Sequence, residues 1–474
     1  MVSGGQNIQN VGISAIEIYF PKNVVYQSEL EEFDGCSKGK YTVGLGQEQM
    51  GFCADNEDVV SISLTVTESL LRNYNVDPCS IGFLAVGTET LIDKSKSVKT
   101  ELMRLFGSNT DIEGVDVKNA CFGGTQAVFH AIDWVYANYS VENRNAIAVL
   151  ADIAVYEPGP ARATGGAGAI AVLITPDAPI AFEHGLRATY MAASWDFYKP
   201  VGKHATEYPT VDGPVSLQSY MKALDSCYSL YKEKAKKIHE EEISLSSFSA
   251  AMFHSPFTRM VQKAVARLSY RDYEDGKGDY ENYSKLGPLS LELFEDRKVM
   301  QCLLQGSEIV WKEKTHPFLE LNRRIGNMYT PSLFAQLIAY IASSSWTSTD
   351  VSRILFFAYG SGSASAMFSA IVSNQTDSRL QRMQELCRSA IARLDDRQGC
   401  SPQFYSDALK LREAFLVSDV PKAPEADSSS LFPGTYYLAM LDEKYRRTYG
   451  YTQLDVLGNQ ENGVSNGLKA SDSI

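Results

Sequence analysis

The chain has 474 residues, 44% of them hydrophobic and 21% charged, enough to bury a large core in two or three domain-sized units or in two halves that share one. Its net charge of −13 argues against general affinity for nucleic acid or anionic membranes, although a local basic pocket can still hold a phosphorylated ligand. The eight cysteines show neither a CxxC pair nor a zinc-ribbon spacing, so no metal site is expected and a reducing compartment is favoured.

Strand-like apolar runs alternate with helical patterns through the first half, which predicts an α/β fold. Residues 11–19 read as a strand closed by Pro21, and residues 59–74 as a helix. Residues 82–87 read as a buried strand that delivers Thr88-Glu89-Thr90. An extended stretch at 115–117 runs through Asn119-Ala120-Cys121-Phe122-Gly123-Gly124 into a helical pattern of Ala127, Val128, Ala131, Ile132 and Val135. Residues 146–151 form the next expected strand. The small-residue loop 159–168 fits no phosphate-loop template and reads as close backbone packing beside a site, before a strand at 169–174. From Leu217 to Ile238 apolar residues recur at helical spacing, with the charges at 232–242 as the expected solvated face. Residues 248–253 read as a strand ending at His254-Ser255-Pro256, and residues 269–285 as a surface insertion. A second strand-to-loop corner follows at Tyr359-Gly360-Ser361-Gly362, and the polar segment 458–474 reads as a disordered tail. The N-terminal residues lack a secretory or transit pattern, and no apolar run is long enough to span a bilayer, so a cytoplasmic protein without membrane association is expected.

The chemistry concentrates at Cys121. A cysteine at a strand-to-helix corner meets unpaired N–H groups and the positive end of a helix dipole, both of which favour the nucleophilic thiolate. Gly123 and Gly124 allow a tight turn and close approach of an acyl group. The combination suits covalent acyl transfer. A cysteine in an apolar stretch is otherwise most often a small buried hydrophobe. What sets Cys121 apart is the company of Glu89 and His254, each at the end of an expected strand, where α/β sheets bind their ligands. Gly360-Ser361-Gly362 offers backbone N–H groups for an oxyanion. Arg259 and Lys263, four residues apart on one helix face, suit the phosphates of a carrier such as coenzyme A, with a solvated helix face as the alternative. The other histidines show no metal-ligand spacing.

Several longer strings extend this pattern: Gly39-Lys40-Tyr41-Thr42-Val43-Gly44-Leu45-Gly46, Gly87-Thr88-Glu89-Thr90-Leu91-Ile92-Asp93-Lys94-Ser95-Lys96-Ser97, Asp196-Phe197-Tyr198-Lys199-Pro200, Phe253-His254-Ser255-Pro256 and Gly326-Asn327-Met328-Tyr329-Thr330. Through these and the Cys121 and Ser361 corners the chain resembles the 3-hydroxy-3-methylglutaryl-CoA synthase family, in its eukaryotic cytosolic, plant-like branch of the thiolase-like superfamily. The resemblance implies a thiolase-like five-layer αβαβα fold of two similar halves, residues 1–185 with Cys121 and Glu89 and residues 186–457 with His254, Asn327 and Ser361. It implies condensation of acetyl-CoA with acetoacetyl-CoA and water to 3-hydroxy-3-methylglutaryl-CoA, in the mevalonate route to isoprenoids and sterols. Cys121 would carry the acetyl group and Glu89 would deprotonate its methyl. His254 would orient acetoacetyl-CoA and polarise or protonate its C3 oxygen. By the same resemblance Asn327 and Ser361 contact acetoacetyl-CoA, Arg259 and Lys263 meet the CoA phosphates, Thr164 and Ser216 line the ligand path, Asp196 supports the acetyl site and Tyr156 shares its wall. It implies a homodimer and no cofactor beyond the CoA thioesters, which are substrates.

The rival within the superfamily is an acetyl-CoA acetyltransferase (thiolase) or a ketoacyl synthase, which use a second cysteine or histidine where this chain has Glu89. A rival of another class is a degenerate acyl-CoA-binding protein, against which the retained trio argues. The chain departs from the family pattern at Phe122, where tyrosine is usual, and at Arg259 in place of the lysine of animal members. It departs again at Ser37-Lys38 and Pro160 by the expected CoA entrance, and the pair Arg323-Arg324 has no role legible in the sequence.

Overall fold

A computed structural model describes residues 8–200, 207–278, 283–284, 286, 296–343, 351–372 and 377–454. The expected tail at 458–474, Lys285 and His204 lie outside the described residues. Among the described residues ten strands form one sheet, nine in a single path and β7 branching from β10: β1 (Gly12–Tyr19), β2 (Ile81–Gly87), β3 (Asp116–Val117), β4 (Asn145–Ala154), β5 (Gly166–Thr175), β6 (Ile180–Phe182), β7 (Ala188–Met191), β8 (Ala250–Phe253), β9 (Ser352–Gly360) and β10 (Ala364–Val372). The helices that cover it are α1 (Val59–Asn73), α2 (Gly123–Glu142), α3 (Gly213–His239), α4 (Thr258–Glu274), α5 (Ser332–Ser343) and α6 (Ser378–Ala392). No helix among the described residues is long and apolar enough to cross a membrane.

The topology repeats. In the first half the strands lie in the order β1-β5-β4-β2, paired antiparallel, antiparallel and parallel. In the second half β6-β10-β9-β8 follows the same order with the same three senses. The two sets join where Gly12 and Ile13 of β1 pair antiparallel with Ala181 and Ile180 of β6.

Period-two alternation sorts the strand side chains into layers. Along β4, Ala146, Ala148 and Leu150 join a central cluster with α2, α5 and α6, whereas Ile147, Val149, Ala151 and Ile153 face α1. Along β9, Ile354, Phe356 and Ala358 join the same central cluster, and Leu355, Phe357 and Tyr359 face α3 and α4. The result is a five-layer order: α1, the first set of strands, the buried helices, the second set, then α3 and α4. Strands buried on both faces explain why β4 and β5 read as continuous apolar runs. Each large side chain so buried contributes about 1.5–3 kcal/mol. The halves interlock in the middle layer, where Phe129 of α2 meets Phe368 of β10 edge-on at 5.0 Å between ring centroids.

Local signals set the helix ends. Asp58 accepts the Ser61 N–H at 2.8 Å while the Ser61 hydroxyl accepts the Asp58 N–H, a capping box that starts α1. Asp212 caps α3, which continues through Pro214 in its first turn.

Part of the surface insertion expected at 269–285 is instead helix and core, while Glu274, Asp275, Gly276 and Gly278 are exposed as expected. Helix α4 runs on to Glu274, and Ser269, Tyr270, Asp272 and Tyr283 are buried. Asp272 accepts hydrogen bonds from the Tyr228 hydroxyl and Lys232, both at 2.7 Å, and from the Leu245 N–H at 2.8 Å. Polar composition misled because these groups satisfy one another inside the fold. Lys232 is accordingly tied in rather than solvated. Arg323 and Arg324 also find a structural use, in ion pairs to Glu48 at 2.8 Å and Asp395 at 2.5 Å.

Candidate active site

Three strand ends and one helix start converge. The register of β2 with β4 pairs Gly87 with Leu150, so the residues just beyond, Thr88-Glu89-Thr90, lie beside Asp152. One Asp152 oxygen accepts the Thr88 hydroxyl at 2.8 Å, the Glu89 N–H at 2.8 Å, and the Thr90 N–H and hydroxyl at 3.1 and 2.9 Å. The other accepts the Thr330 N–H at 3.1 Å and the Thr330 hydroxyl. A single buried carboxylate thus fixes the Glu89 backbone and ties it to the start of α5 in the other half.

Cys121 stands two residues before α2 in a left-handed conformation, φ +52°. Its N–H donates to Glu89 Oε2 at 2.6 Å. The backbones crowd here: a Cβ on Gly360 would lie 1.7 Å from the Ala120 carbonyl oxygen, and one on Gly87 would lie 2.3 Å from Gly124 Cα. Only glycine permits these backbones to meet around the cysteine in this way, Gly360 across the two halves and Gly87 within the first. Phe122 turns into the central cluster, 2% exposed, and leaves the site to Cys121.

His254 follows β8. Its N–H continues the parallel ladder to the Phe357 carbonyl at 2.8 Å, and its own carbonyl accepts the Tyr220 hydroxyl at 2.9 Å. Lys199 places Nζ 3.3 Å from Glu89 Oε1 and 4.7 Å from the centroid of the Tyr329 ring.

The electrostatics follow from burial. Desolvation raises Glu89 to about 7; the nearby Lys199 ammonium pulls it back and the Asp152 charge adds to the rise. Desolvation lowers His254 to about 3, so its imidazole is neutral near pH 7. Desolvation, then the charges of Glu89 and Asp152, push the Cys121 thiol well above its ordinary value. This corrects the thiolate expected at the corner: the helix-end effect is worth about 1 kcal/mol and burial between two carboxylates outweighs it.

A cavity of about 590 Å³ opens on these groups, within the range of small-molecule sites. Of the expected residues, Cys121, His254, Tyr156, Thr164, Ser216, Lys263, Asn327 and Ser361 line it. Asn327 spends its Oδ1 on the Tyr329 N–H at 2.9 Å and the Ser332 hydroxyl at 3.0 Å, which leaves its NH₂ as the other polar end. Glu89 lies behind Cys121, 9% exposed. Asp196 is fully buried beneath the wall, where it accepts the Tyr359 hydroxyl at 2.8 Å and the Gly362 N–H at 3.0 Å and so braces the Ser361 loop. Arg259 lines a second cavity of about 930 Å³ that shares Gly213, Pro214, Leu217 and Lys263 with the first. Its Nε donates to the Val43 carbonyl at 3.0 Å. Pro160 lines the first cavity.

Two polar groups at the centre escaped the sequence reading. Asp152 sits inside an apolar strand, and a charge there is itself a signal, since a buried carboxylate needs partners. Lys199 follows the aromatic pair Phe197-Tyr198 within the string Asp196–Pro200 that carries the resemblance, but it has no role legible there.

The hydroxymethylglutaryl-coenzyme A synthase N-terminal family matches residues 7–179 and its C-terminal counterpart matches residues 180–452. A hydroxymethylglutaryl-CoA synthase of Caenorhabditis elegans is 51% identical over 467 residues, 97% of each chain. The cytoplasmic hydroxymethylglutaryl-CoA synthase of Homo sapiens is 44% identical over 93% of this chain and 87% of its own. Among solved structures, MvaS in complex with 3-hydroxy-3-methylglutaryl coenzyme A superposes with a TM-score of 0.81 at 29% identity, covering 94% of this chain and all of that one. The chain belongs to the hydroxymethylglutaryl-CoA synthase family.

Proposed function

We propose that the protein condenses acetyl-CoA with acetoacetyl-CoA and water to 3-hydroxy-3-methylglutaryl-CoA and CoA. The observation that carries this most strongly is the Glu89 carboxylate bound to the Cys121 N–H, with the His254-lined cavity in front of it. Cys121 sulfur attacks the acetyl carbonyl, the bond to CoA sulfur breaks, and the thiol proton leaves with CoA. Ser361 lies on the same cavity, and each backbone donor to the developing oxyanion is worth about 3 kcal/mol.

Glu89 then takes a proton from the acetyl methyl. With its value at about 7, it is half ionised at neutral pH and matched to that task. The resulting enolate attacks C3 of acetoacetyl-CoA and forms the new carbon–carbon bond. His254, neutral, polarises the C3 oxygen by donating a hydrogen bond, and the proton that Glu89 took from the methyl passes to the C3 alkoxide, which becomes the hydroxyl and returns Glu89 to its carboxylate form. Water hydrolyses the Cys121 thioester and releases the product. Asn327 and Ser361 contact acetoacetyl-CoA, Thr164, Ser216 and Tyr156 line the acyl path, and Lys263 with Arg259 meets the CoA phosphates at the junction of the two cavities. The reaction needs no cofactor beyond the two thioesters. The cytoplasmic label of the human relative supports a cytoplasmic enzyme, and the family resemblance supports a homodimer.

A product assay by mass spectrometry with both thioesters tests the reaction. Hydroxymethylglutaryl-CoA with free CoA is the expected result; acetyl exchange or thiolysis without it would return the protein to the thiolase reading. A native mass equal to one chain would overturn the dimer.

A further inference from the structure

We infer that Lys199 is a positioning residue for Glu89: its ammonium holds one carboxylate oxygen while the Cys121 N–H holds the other. The inference rests on the reading of Glu89 as the general base. The geometry is a clamp. Glu89 Oε2 lies 2.6 Å from the Cys121 nitrogen, and Oε1 lies 3.3 Å from Lys199 Nζ. Two anchors on the two oxygens fix the carboxylate plane against the acyl-bearing residue, where one anchor would leave it free to swing.

Lys199 is itself held. Its ammonium rests on the Tyr329 ring at 4.7 Å and near the Phe197 ring at 5.8 Å, and its side chain keeps 20% exposure at the rim. The segment that carries it is fixed on both sides of the site. Phe197 and Tyr198 pair antiparallel with Val211 and Thr210, and Asp196 is bonded to Tyr359 and Gly362 beside the Ser361 corner. Lys199 therefore links the oxyanion loop of one half to the base of the other.

Its charge has a definite place in the balance. Glu89 shares a buried pocket with Asp152 and with the Cys121 thiol, so a second negative charge there is costly without a cation in contact. Burial and Asp152 raise Glu89, and Lys199 opposes them. Without Lys199 the carboxylate form becomes harder to reach, so Glu89 stays protonated, and idle as a base, to higher pH.

The test compares Lys199→Met, Lys199→Gln and Lys199→Arg in the full chain by the pH dependence of turnover. The Met and Gln variants should shift the acidic limb of turnover upward by about one to two pH units and lose about tenfold at pH 7, with KM for acetoacetyl-CoA nearly unchanged. The Arg variant should return the limb to its wild-type position. A uniform loss at every pH with an unmoved limb in both neutral variants would overturn the inference and leave Lys199 a packing residue. Glu89→Gln separates this from failure of the underlying reading. If Glu89→Gln keeps wild-type turnover and limb, Glu89 is not the base. If it abolishes turnover while the neutral Lys199 variants leave the limb in place, the inference about Lys199 alone fails.

Discussion

At the end of its second strand the first half of the molecule places Glu89; at the matching point the second half places His254. Strand β4 carries Asp152, and its counterpart β9 leads to the Ser361 corner. The buried helix of each half begins just after a residue in left-handed conformation, Cys121 at φ +52° and Tyr329 at φ +53°. The same topology therefore supplies the same places twice, and different residue types divide the labour between them. In the proposed mechanism the first half holds the groups for making and breaking covalent bonds to the acetyl unit. The second holds a neutral imidazole, an amide and a backbone loop, which suit binding and polarising the second thioester. Tyr329, in the place of the nucleophile, offers a ring on which Lys199 rests.

Substitutions at matching points give the sharpest contrasts. Cys121→Ala should abolish product formation, a loss of at least about 10⁴-fold, and leave no acetyl adduct by intact mass. The corresponding change in the second half, Tyr329→Phe, keeps the ring and should cost less than about tenfold in kcat, because only a hydroxyl is lost. Between these extremes, His254→Ala should retain acetylation of Cys121 but lower condensation by about 10²–10³-fold, read by comparing adduct formation with product release. Asp152→Asn should cost about 10²-fold in kcat, since the amide cannot accept all the donors from Thr88, Glu89, Thr90 and Thr330, and Glu89 loses its position. If Tyr329→Phe proved as damaging as Cys121→Ala, the division of labour between the halves would be wrong.

Much of this was legible in the sequence, for physical reasons. Strands buried on both faces announce themselves as apolar runs, and a polar triplet such as Thr88-Glu89-Thr90 at the end of one has to be at a site or a surface. His254 before Ser255-Pro256 reads the same way. The internal duplication came only through the family resemblance and was not legible in the residues themselves, because what repeats is strand order and pairing sense, while matching positions carry unrelated residues. The state of the Cys121 thiol was not legible either, since it depends on Glu89 and Asp152 arriving from other strands. The Tyr- and Asp-rich stretch of 269–285 misled because polarity is judged locally, whereas the Asp272 network is closed by Tyr228, Lys232 and Leu245 from elsewhere.

The most direct measurement is the intact mass of Glu89→Ala incubated with acetyl-CoA, followed by a product assay on addition of acetoacetyl-CoA. With the nucleophile and the base as separate members of the first half, the variant should gain one acetyl group on Cys121 and then form no hydroxymethylglutaryl-CoA above about 10⁻³ of the wild-type rate. A variant that cannot be acetylated, or one that is acetylated and goes on to product at the wild-type rate, would contradict the role of Glu89 as the base that makes the carbon nucleophile.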